Sequence, residues 1–447
     1  MHPRSIVVAA VVACAAGCAH VPSDEAAYPP VIFVHGAFAD ASRWTTTLWR
    51  FESNGWPRER LFAFDVIYPI AGPEFDKPQP RRTTAGEHTA QLAAEVERVR
   101  RLTGADKVVL VANSRGGFAV RDYLRSDEGR RVVSHAVLGG TPNHGVWNTP
   151  EYLPRSEFNA AGPFLTSLNA PREPGGLEVA QGTAFMTIRS DGLDKFTQPD
   201  GRWLGQPKLR TNVSHEGPEL KGAENIVLAG ADHLETSYGP EAFAHTYRFI
   251  TGRQPATKAV VAERSIVLDG KVSTGDEATN IPAPGATIEV YEVACESGER
   301  IGPAVHRKTT GGDGMWGPFA AKPTACYEFV GWAEGTAINH TYRSPFPRSS
   351  MVVQMRLMAL DDNDRKAASV IRMIRSRGFL ALGRTRMTLD GKDPPGIQSG
   401  VPGLNVSTLR LDEPTMRSVV AEYDAERIAV RTWPVRENRL VRAEFHY

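Results

Sequence analysis

Residues Lys107 to Leu124 read K-V-V-L-V-A-N-S-R-G-G-F-A-V-R-D-Y-L, and the reading of the whole chain turns on them. Val108 to Ala112 is a short unbroken apolar run, the form taken by a strand buried on both faces. The run stops at Asn113-Ser114, two glycines follow at Gly116 and Gly117, and Phe118, Val120 and Tyr123 then recur with a helical pattern. A strand, a serine and a helix, with small residues two before and two after the serine, make an elbow that lifts the hydroxyl clear of the chain. The small residues are a steric requirement, because bulky neighbours collide on so tight a turn. Ala112 stands where the G-x-S-x-G form of this elbow has its first glycine.

Working outward, strand-like runs and helical patterns alternate. V-I-F-V (Val31 to Val34) precedes H-G-A-F and a helical stretch carrying Trp44 and Trp49; Leu61 to Ile67 is the next strand candidate. Thr84 and Glu87 have the spacing of a capping box, and Leu92, Val96 and Val99 share one face of the helix that follows. Beyond the elbow, strands are expected over Val132 to Leu138, Thr183 to Arg189 and Asn225 to Ala229, and a last helix carries Phe243, Tyr247 and Ile250. This alternation predicts an α/β fold with a mostly parallel sheet of about six strands.

T-G-R-Q-P-A-T (Thr251 to Thr257) has the glycine and proline of a boundary. After it the period changes to short alternating segments, among them Thr287 to Tyr291 and Val352 to Leu357, broken by Gly and Pro. That pattern predicts a C-terminal all-β, sandwich-like region. The closing R-L-V-R-A-E-F-H-Y sets Val441, Ala443 and Phe445 on one face against Arg442, Glu444 and His446. The expected division is a leader over 1–18, a tether over 19–30, an α/β domain over 31–254, a β-sandwich domain over 255–360 and a second β-rich region over 361–447.

A chain of 447 residues has room for two or three domains, and a net charge of +1 with both signs interspersed gives no nucleic-acid partner. Arg4 precedes an apolar run, Ile6 to Ala16, too short to span a bilayer and placed as a secretory leader is. It ends A-A-G-C-A-H, which resembles a bacterial lipoprotein processing site; lipidated Cys18 would then begin the mature chain and attach it to a membrane. The alternative is an ordinary leader that removes Cys14 and Cys18. Both predict export to the cell envelope or beyond, where Cys295 and Cys326 are expected to pair. Two isolated cysteines without clustered histidines make no metal site, and no cofactor is expected.

A serine nucleophile needs a base, a group to orient the base, and donors for the oxyanion. In a strand-helix sheet these follow in the order Ser, Asp or Glu, His. His233, in A-G-A-D-H-L-E directly after the last strand, is the expected base, ahead of His135, His144, His215 and His245; His215 is expected to face away, at the opposite edge of the sheet. The loop S-D-G-L-D-K-F-T-Q-P-D-G supplies the acid, with Asp194 favoured for its reach, Asp191 competing and Asp200 further off. Asp232 is read as a loop residue, since adjacent side chains rarely face each other. The backbone N–H groups of Ala37 and Arg115 are the expected oxyanion donors, and His35 is expected to shape the turn before the first of them.

V-I-F-V-H-G-A-F, V-A-N-S-R-G-G and A-G-A-D-H-L-E together resemble the α/β-hydrolase superfamily, and L-G-G-T-P-N-H-G (Leu138 to Gly145) resembles its minimal bacterial lipases and carboxylesterases. The resemblance covers about Val31 to Thr251. It implies cofactor-free hydrolysis of hydrophobic carboxylic esters through an acyl-enzyme on Ser114, with Asn113 a departure from the residue often found there. Residues 265–357 resemble small Ig-like or transthyretin-like β domains more loosely. Val146 to Ala180 holds Trp147, Tyr152, Leu153, Phe158 and Phe164, and reads equally as a cap over an acyl pocket or as a packed crossover. Two further functions stay open: a depolymerase of aliphatic polyesters whose β modules adsorb to the polymer, and an inactive surface-binding protein.

Overall fold

The computed structural model describes residues 28–171, 176–276 and 278–447. The chain runs β1 (Val31–Val34), α1 (Thr45–Ser53), β2 (Leu61–Phe64), α2 (Ala85–Thr103), β3 (Val108–Asn113), α3 (Gly116–Tyr123), α4 (Asp127–Val132), β4 (Val133–Gly139), α5 (Pro163–Leu168), β5 (Ala184–Ser190), β6 (Glu224–Leu228), α6 (Glu235–Tyr238) and α7 (Pro240–Thr251) before the β region begins. Alternate residues of β1 and β3 bury on opposite faces of one sheet, which is why both read as unbroken apolar runs. Ile32, Val34, Leu110 and Ala112 pack against Leu92, Val96 and Val99 of α2 and Val120 of α3. Val31, Phe33, Val109 and Val111 pack on the other face against Trp44, Phe51, Phe243 and Tyr247.

The six strands lie in the order β2-β1-β3-β4-β5-β6, and every neighbouring pair is parallel. The chain leaves β1 toward one edge, returns over it to β3, and then proceeds toward the other edge. The carboxyl ends of β1 and β3 therefore flank the switch point, where a crevice opens in sheets of this kind. Thr84 caps α2: its Oγ1 accepts from the Glu87 N–H at 3.1 Å while the Glu87 carboxylate accepts from the Thr84 N–H at 2.8 Å. Such a cap is worth about 1 kcal/mol. Strand β2 stops at Phe64, short of the expected Ile67, because the Val66 N–H donates to His35 Nε2 at 3.0 Å instead of joining the ladder.

Beyond α7 the structure is all-β, and its main sheet has seven strands. In spatial order these are His306–Thr309, Thr287–Val293, Cys326–Trp332, Ile338–Arg343, Arg439–Phe445, Ser369–Arg375 and Val406–Leu411. The closing strand lies parallel to both of its neighbours, between residues of the 255–360 stretch and residues of the 361–447 stretch. The two stretches thus share one sheet. Val441, Ala443 and Phe445 enter a core with Ile371, Met373 and Ile428, while Arg442 and Glu444 lie on the opposite face. Of the expected strand Val352 to Leu357, Met355–Leu357 is strand; the Val353 N–H and carbonyl are taken instead by Asp269 and the Trp316 indole. Cys295 and Cys326 are disulfide-bonded, tying the turn after Thr287–Val293 to the neighbouring strand.

The β region docks on the face carrying α1 and the loop after β1. Trp49 Nε1 donates to Ser349 O at 2.9 Å, Lys271 pairs with Asp65 at 2.7 Å, and Asn280 Nδ2 donates to Ala39 O and Val66 O at 2.9 Å each. The leader, with Cys14 and Cys18, lies outside the described residues. Among the described residues no helix is long and apolar enough to cross a membrane.

Candidate active site

Ser114 has a φ of +51°, a left-handed conformation that costs an L-residue about 1–2 kcal/mol. The surrounding bonds hold it there: its N–H donates to Gly139 O at 2.9 Å, and its carbonyl accepts from the Gly117 N–H at 3.0 Å and from Thr141 Oγ1 at 3.1 Å. Side chains at the two following glycines have no room. A Cβ on Gly116 would lie 2.7 Å from Val34 O, and one on Gly117 2.0 Å from Thr141 Oγ1. Asn113 sits buried behind the serine, donating to Ser237 Oγ at 2.9 Å.

Asp194 follows β5 and His233 follows β6, so both arrive at the carboxyl end of the sheet. His233 Nδ1 lies 2.6 Å from Asp194 Oδ2, and both residues are buried. The other Asp194 oxygen accepts from the Phe196 N–H at 2.8 Å, which fixes the carboxylate, and the Phe196 ring packs edge-on against the imidazole. With a carboxylate at Nδ1, the proton resides there and Nε2 is left as an acceptor. The rival carboxylates are engaged elsewhere. Asp191 accepts from the Gly230 N–H at 2.9 Å and Asp200 from the Arg202 N–H at 3.1 Å. Asp232 accepts from the N–H groups of Leu234, Glu235 and Phe379 and lies 3.3 Å from Arg375. Burial and the neighbouring Glu235 push its carboxyl up to about 6, against the pull of Arg375.

His35 Nδ1 is 2.9 Å from Gly36 O and its Nε2 accepts from the Val66 N–H, an arrangement that requires the neutral tautomer with the proton on Nδ1. Burial lowers its basicity in the same direction, against Asp65. The ring thereby shapes the turn that carries Gly36 and Ala37. Gly36 lies against the elbow: a Cβ there would sit 2.8 Å from both Ser114 Cβ and Asn113 Oδ1. The N–H groups of Ala37 and Arg115 donate to no other group among the described residues.

Ser114, His233 and Ala37 line one cavity of about 520 Å³. Its remaining wall is largely apolar, with Ile70, Trp147, Leu153, Phe158, Phe196 and Phe379. Three of these come from the 146–180 segment, and Phe379 comes from the β region, a contribution that no local sequence signal marks. The side chain of Arg115 is the other feature missed. Fully buried, it pairs with Glu157 at 2.5 Å and 3.1 Å and donates to Thr83 O at 2.6 Å. It fastens the 146–180 segment to the residue after Ser114. A buried charge beside the elbow demands a partner, but the sequence does not say which of its glutamates supplies one.

His215 is a correction. It does not face away from the site: it shares a cavity with Asp194 and His233, and its ring lies against Gly192. The 33-residue connection between β5 and β6 (191–223) crosses the carboxyl end of the sheet before it descends to β6, and carries the histidine with it. His144 Nε2 is held by Glu178 at 3.1 Å. Among the described residues no three His, Cys, Asp or Glu side chains are grouped to hold a metal ion.

Residues 28–143 match the family of class 2 lipases, and residues 264–360 match the lipase C-terminal domain. Similar solved structures include the lipase BlEst2 of Bacillus licheniformis in mature form, at 19% identity over 50% of this chain and 93% of that one, with a TM-score of 0.36. The propeptide form of the same lipase aligns at 16% identity over 91% of this chain and 93% of that one, with a TM-score of 0.37. The carboxylesterase CesB of Bacillus subtilis aligns at 16% identity over 52% and 86%, with a TM-score of 0.29. The parallel six-stranded sheet and the two family matches give this chain an α/β-hydrolase fold and make it similar to lipases and esterases.

Proposed function

We propose that this chain is an exported serine hydrolase of carboxylic esters with apolar acyl groups, with Ser114 as nucleophile, His233 as base and Asp194 as the group that orients the base. His233 Nε2 accepts the hydroxyl proton as Ser114 Oγ attacks the ester carbonyl, and Asp194 stabilises the imidazolium that forms. The N–H groups of Ala37 and Arg115 receive the oxyanion; one such donor is typically worth about 2.7–4 kcal/mol. Collapse of the tetrahedral species returns the proton to the departing alcohol. Water then repeats the sequence on the acyl-enzyme and releases the acid. The observation that carries this reading is the buried 2.6 Å His233–Asp194 contact in the same cavity wall as a serine on a strained elbow. Ser114→Ala is expected to abolish turnover of p-nitrophenyl butyrate; a variant with wild-type activity would refute the assignment.

Aliphatic polyesters fall within the same chemistry. A β region that only adsorbs to polymer could be removed without loss of soluble-ester turnover. Phe379 in the cavity wall and Asn280 on the loop after β1 support an integral role instead. Truncation after Thr257 is therefore expected to abolish activity on soluble esters and on polyester film alike, and retention of soluble-ester activity would favour the adsorbing module. The intact triad weighs against an inactive binding protein. For export, A-A-G-C-A-H supports lipidation of Cys18: wild type should incorporate an alkynyl fatty acid in cells, and Cys18→Ala should not.

A further inference from the structure

A second chamber, of about 590 Å³, lies between the catalytic domain and the β region. It shares Phe38, Ala39, Arg43, Ile70, Arg82 and Asn405 with the wall of the catalytic cavity, so the two adjoin along the loop that carries Ala37. Its lining is charged where the catalytic cavity is apolar. Six guanidinium groups, those of Arg43, Arg82, Arg356, Arg372, Arg410 and Arg442, face four carboxylates, those of Asp40, Asp276, Asp361 and Glu444.

Those carboxylates are largely spoken for. Asp276 is taken by Arg81 at 2.7 Å and Glu444 by Arg343 at 2.6 Å, both from outside the lining. Asp40 serves Arg356 at 3.2 Å, and Asp361 accepts from the backbone N–H groups of Asn363 and Asp364. Arg372 and Arg410 share the carboxylate of buried Asp364, at 2.6 Å and 2.7 Å, and lie 3.9 Å and 3.7 Å from that of Asp361. Arg43 is engaged, donating to Ser376 O and to Phe38 O, and of the six guanidiniums Arg82 and Arg442 are the ones to consider: neither has a carboxylate within ion-pair distance among the described residues. Arg82 is exposed at the rim and donates only to Ala71 O, at 3.4 Å. Arg442 is 9% exposed, donates to Arg356 O, and has an enclosed Nε with no hydrogen-bond partner. A buried guanidinium with an unpaired N–H and an excess of its own sign around it favours an anion in the space it lines.

We propose that this chamber is an anion subsite of the active centre, and that it takes a carboxylate or phosphate group carried by the ester substrate. The proposal rests on the ester-hydrolase reading above. It makes the preferred substrate two-ended, with its ester at Ser114 and its charge beside Arg82 and Arg442.

Three matched pairs of esters test it at low salt, each an anionic ester against a neutral one. They are the p-nitrophenyl half-ester of adipic acid against p-nitrophenyl hexanoate, the butyrate ester of 6-hydroxyhexanoate against that of its methyl ester, and butyryl glycerol 3-phosphate against monobutyrin. They place the anion on the acyl side, on the alcohol side, and as phosphate. At least one anionic member should exceed its partner in kcat/KM by about tenfold, the effect of one charge-assisted contact. Arg82→Gln and Arg442→Gln should remove most of that preference, read as the ratio of kcat/KM between the anionic and the neutral member of each pair. Arg82 is exposed, so its variant decides the matter even where Arg442→Gln fails to fold. Calorimetric titration of adipate and of glycerol 3-phosphate provides a readout independent of turnover, with binding expected in wild type and lost in Arg82→Gln. Equal rates within all three pairs, together with no binding of either anion, would overturn the subsite. Binding that depends on Arg82 without turnover of any ester would keep the subsite and overturn the hydrolase reading.

Discussion

Gly36→Ala probes the oxyanion loop without replacing a residue that does chemistry. The added methyl would stand 2.8 Å from Ser114 Cβ and 2.8 Å from Asn113 Oδ1, where ordinary contact begins near 3.4 Å. Neither neighbour is a flexible tip. Ser114 is pinned through its N–H and carbonyl, and Asn113 is bonded to Ser237. The strain therefore falls on the loop itself, which must retreat by about half an ångström, enough to stretch a 2.9 Å hydrogen bond toward the limit of a useful one. The Ala37 N–H is the donor on that loop. Losing it should lower kcat on p-nitrophenyl butyrate by about 10²–10³-fold, with KM changed little, because the contact forms only in the transition state. The variant should keep the wild-type urea midpoint to within about 1 kcal/mol of stability. Steady-state kinetics beside a urea titration separate the two effects. A kcat within threefold of wild type in a folded Gly36→Ala protein would refute the placement of the oxyanion site.

Asp194→Asn should preserve the fold and reduce kcat by about 10³–10⁴-fold, since the amide stabilises the wrong imidazole tautomer; an Asp191→Asn control should lose far less, and the opposite ranking would reassign the acid. Glu157→Gln leaves the buried Arg115 charge uncompensated, for which about 3–5 kcal/mol of stability is expected to be lost, seen as a lower urea midpoint; an unchanged midpoint would mean that the pair contributes nothing. Burial would raise the carboxyl of Glu444, but Arg343, Arg442 and Arg377 outweigh it and hold the group at about 2. A carboxyl depressed by folding contributes stability above its ordinary value near 4.5 that is lost as pH falls toward 2, here on the order of 3 kcal/mol. Glu444→Gln should thus lower stability at neutral pH and flatten its decline between pH 4.5 and 2, and thermal unfolding curves across that range with parallel slopes would contradict the assignment.

Much of the catalytic half is legible in the residue pattern because its determinants are local. Val108 to Asn113 and Val31 to Val34 are buried on both faces and hence unbroken in sequence. The turn at Ser114 needs small residues beside it, and they are present. Asp194 and His233 are found by counting strands, since each follows a strand whose carboxyl end faces the site. What the sequence hides is non-local. Nothing near Arg115 names Glu157 as its partner, 42 residues away. The closing strand alternates as an exposed strand does, yet it lies between two others and buries Arg442 beside Val441, with Glu444 half-buried. Phe379 reaches the catalytic cavity only because the β region docks against the loop that carries Asp232 and His233. His215 misleads for the same reason: its position before β6 in sequence says nothing of the long connection that carries it over the sheet's end.

The central claim, that Ser114 is the residue acylated during ester hydrolysis, is tested most directly by the mass of the protein after reaction with a fluorophosphonate. A single adduct per chain is expected, mapped to the peptide containing Ser114 and abolished by Ser114→Ala. An adduct on any other residue, or undiminished labelling of that variant, would contradict it.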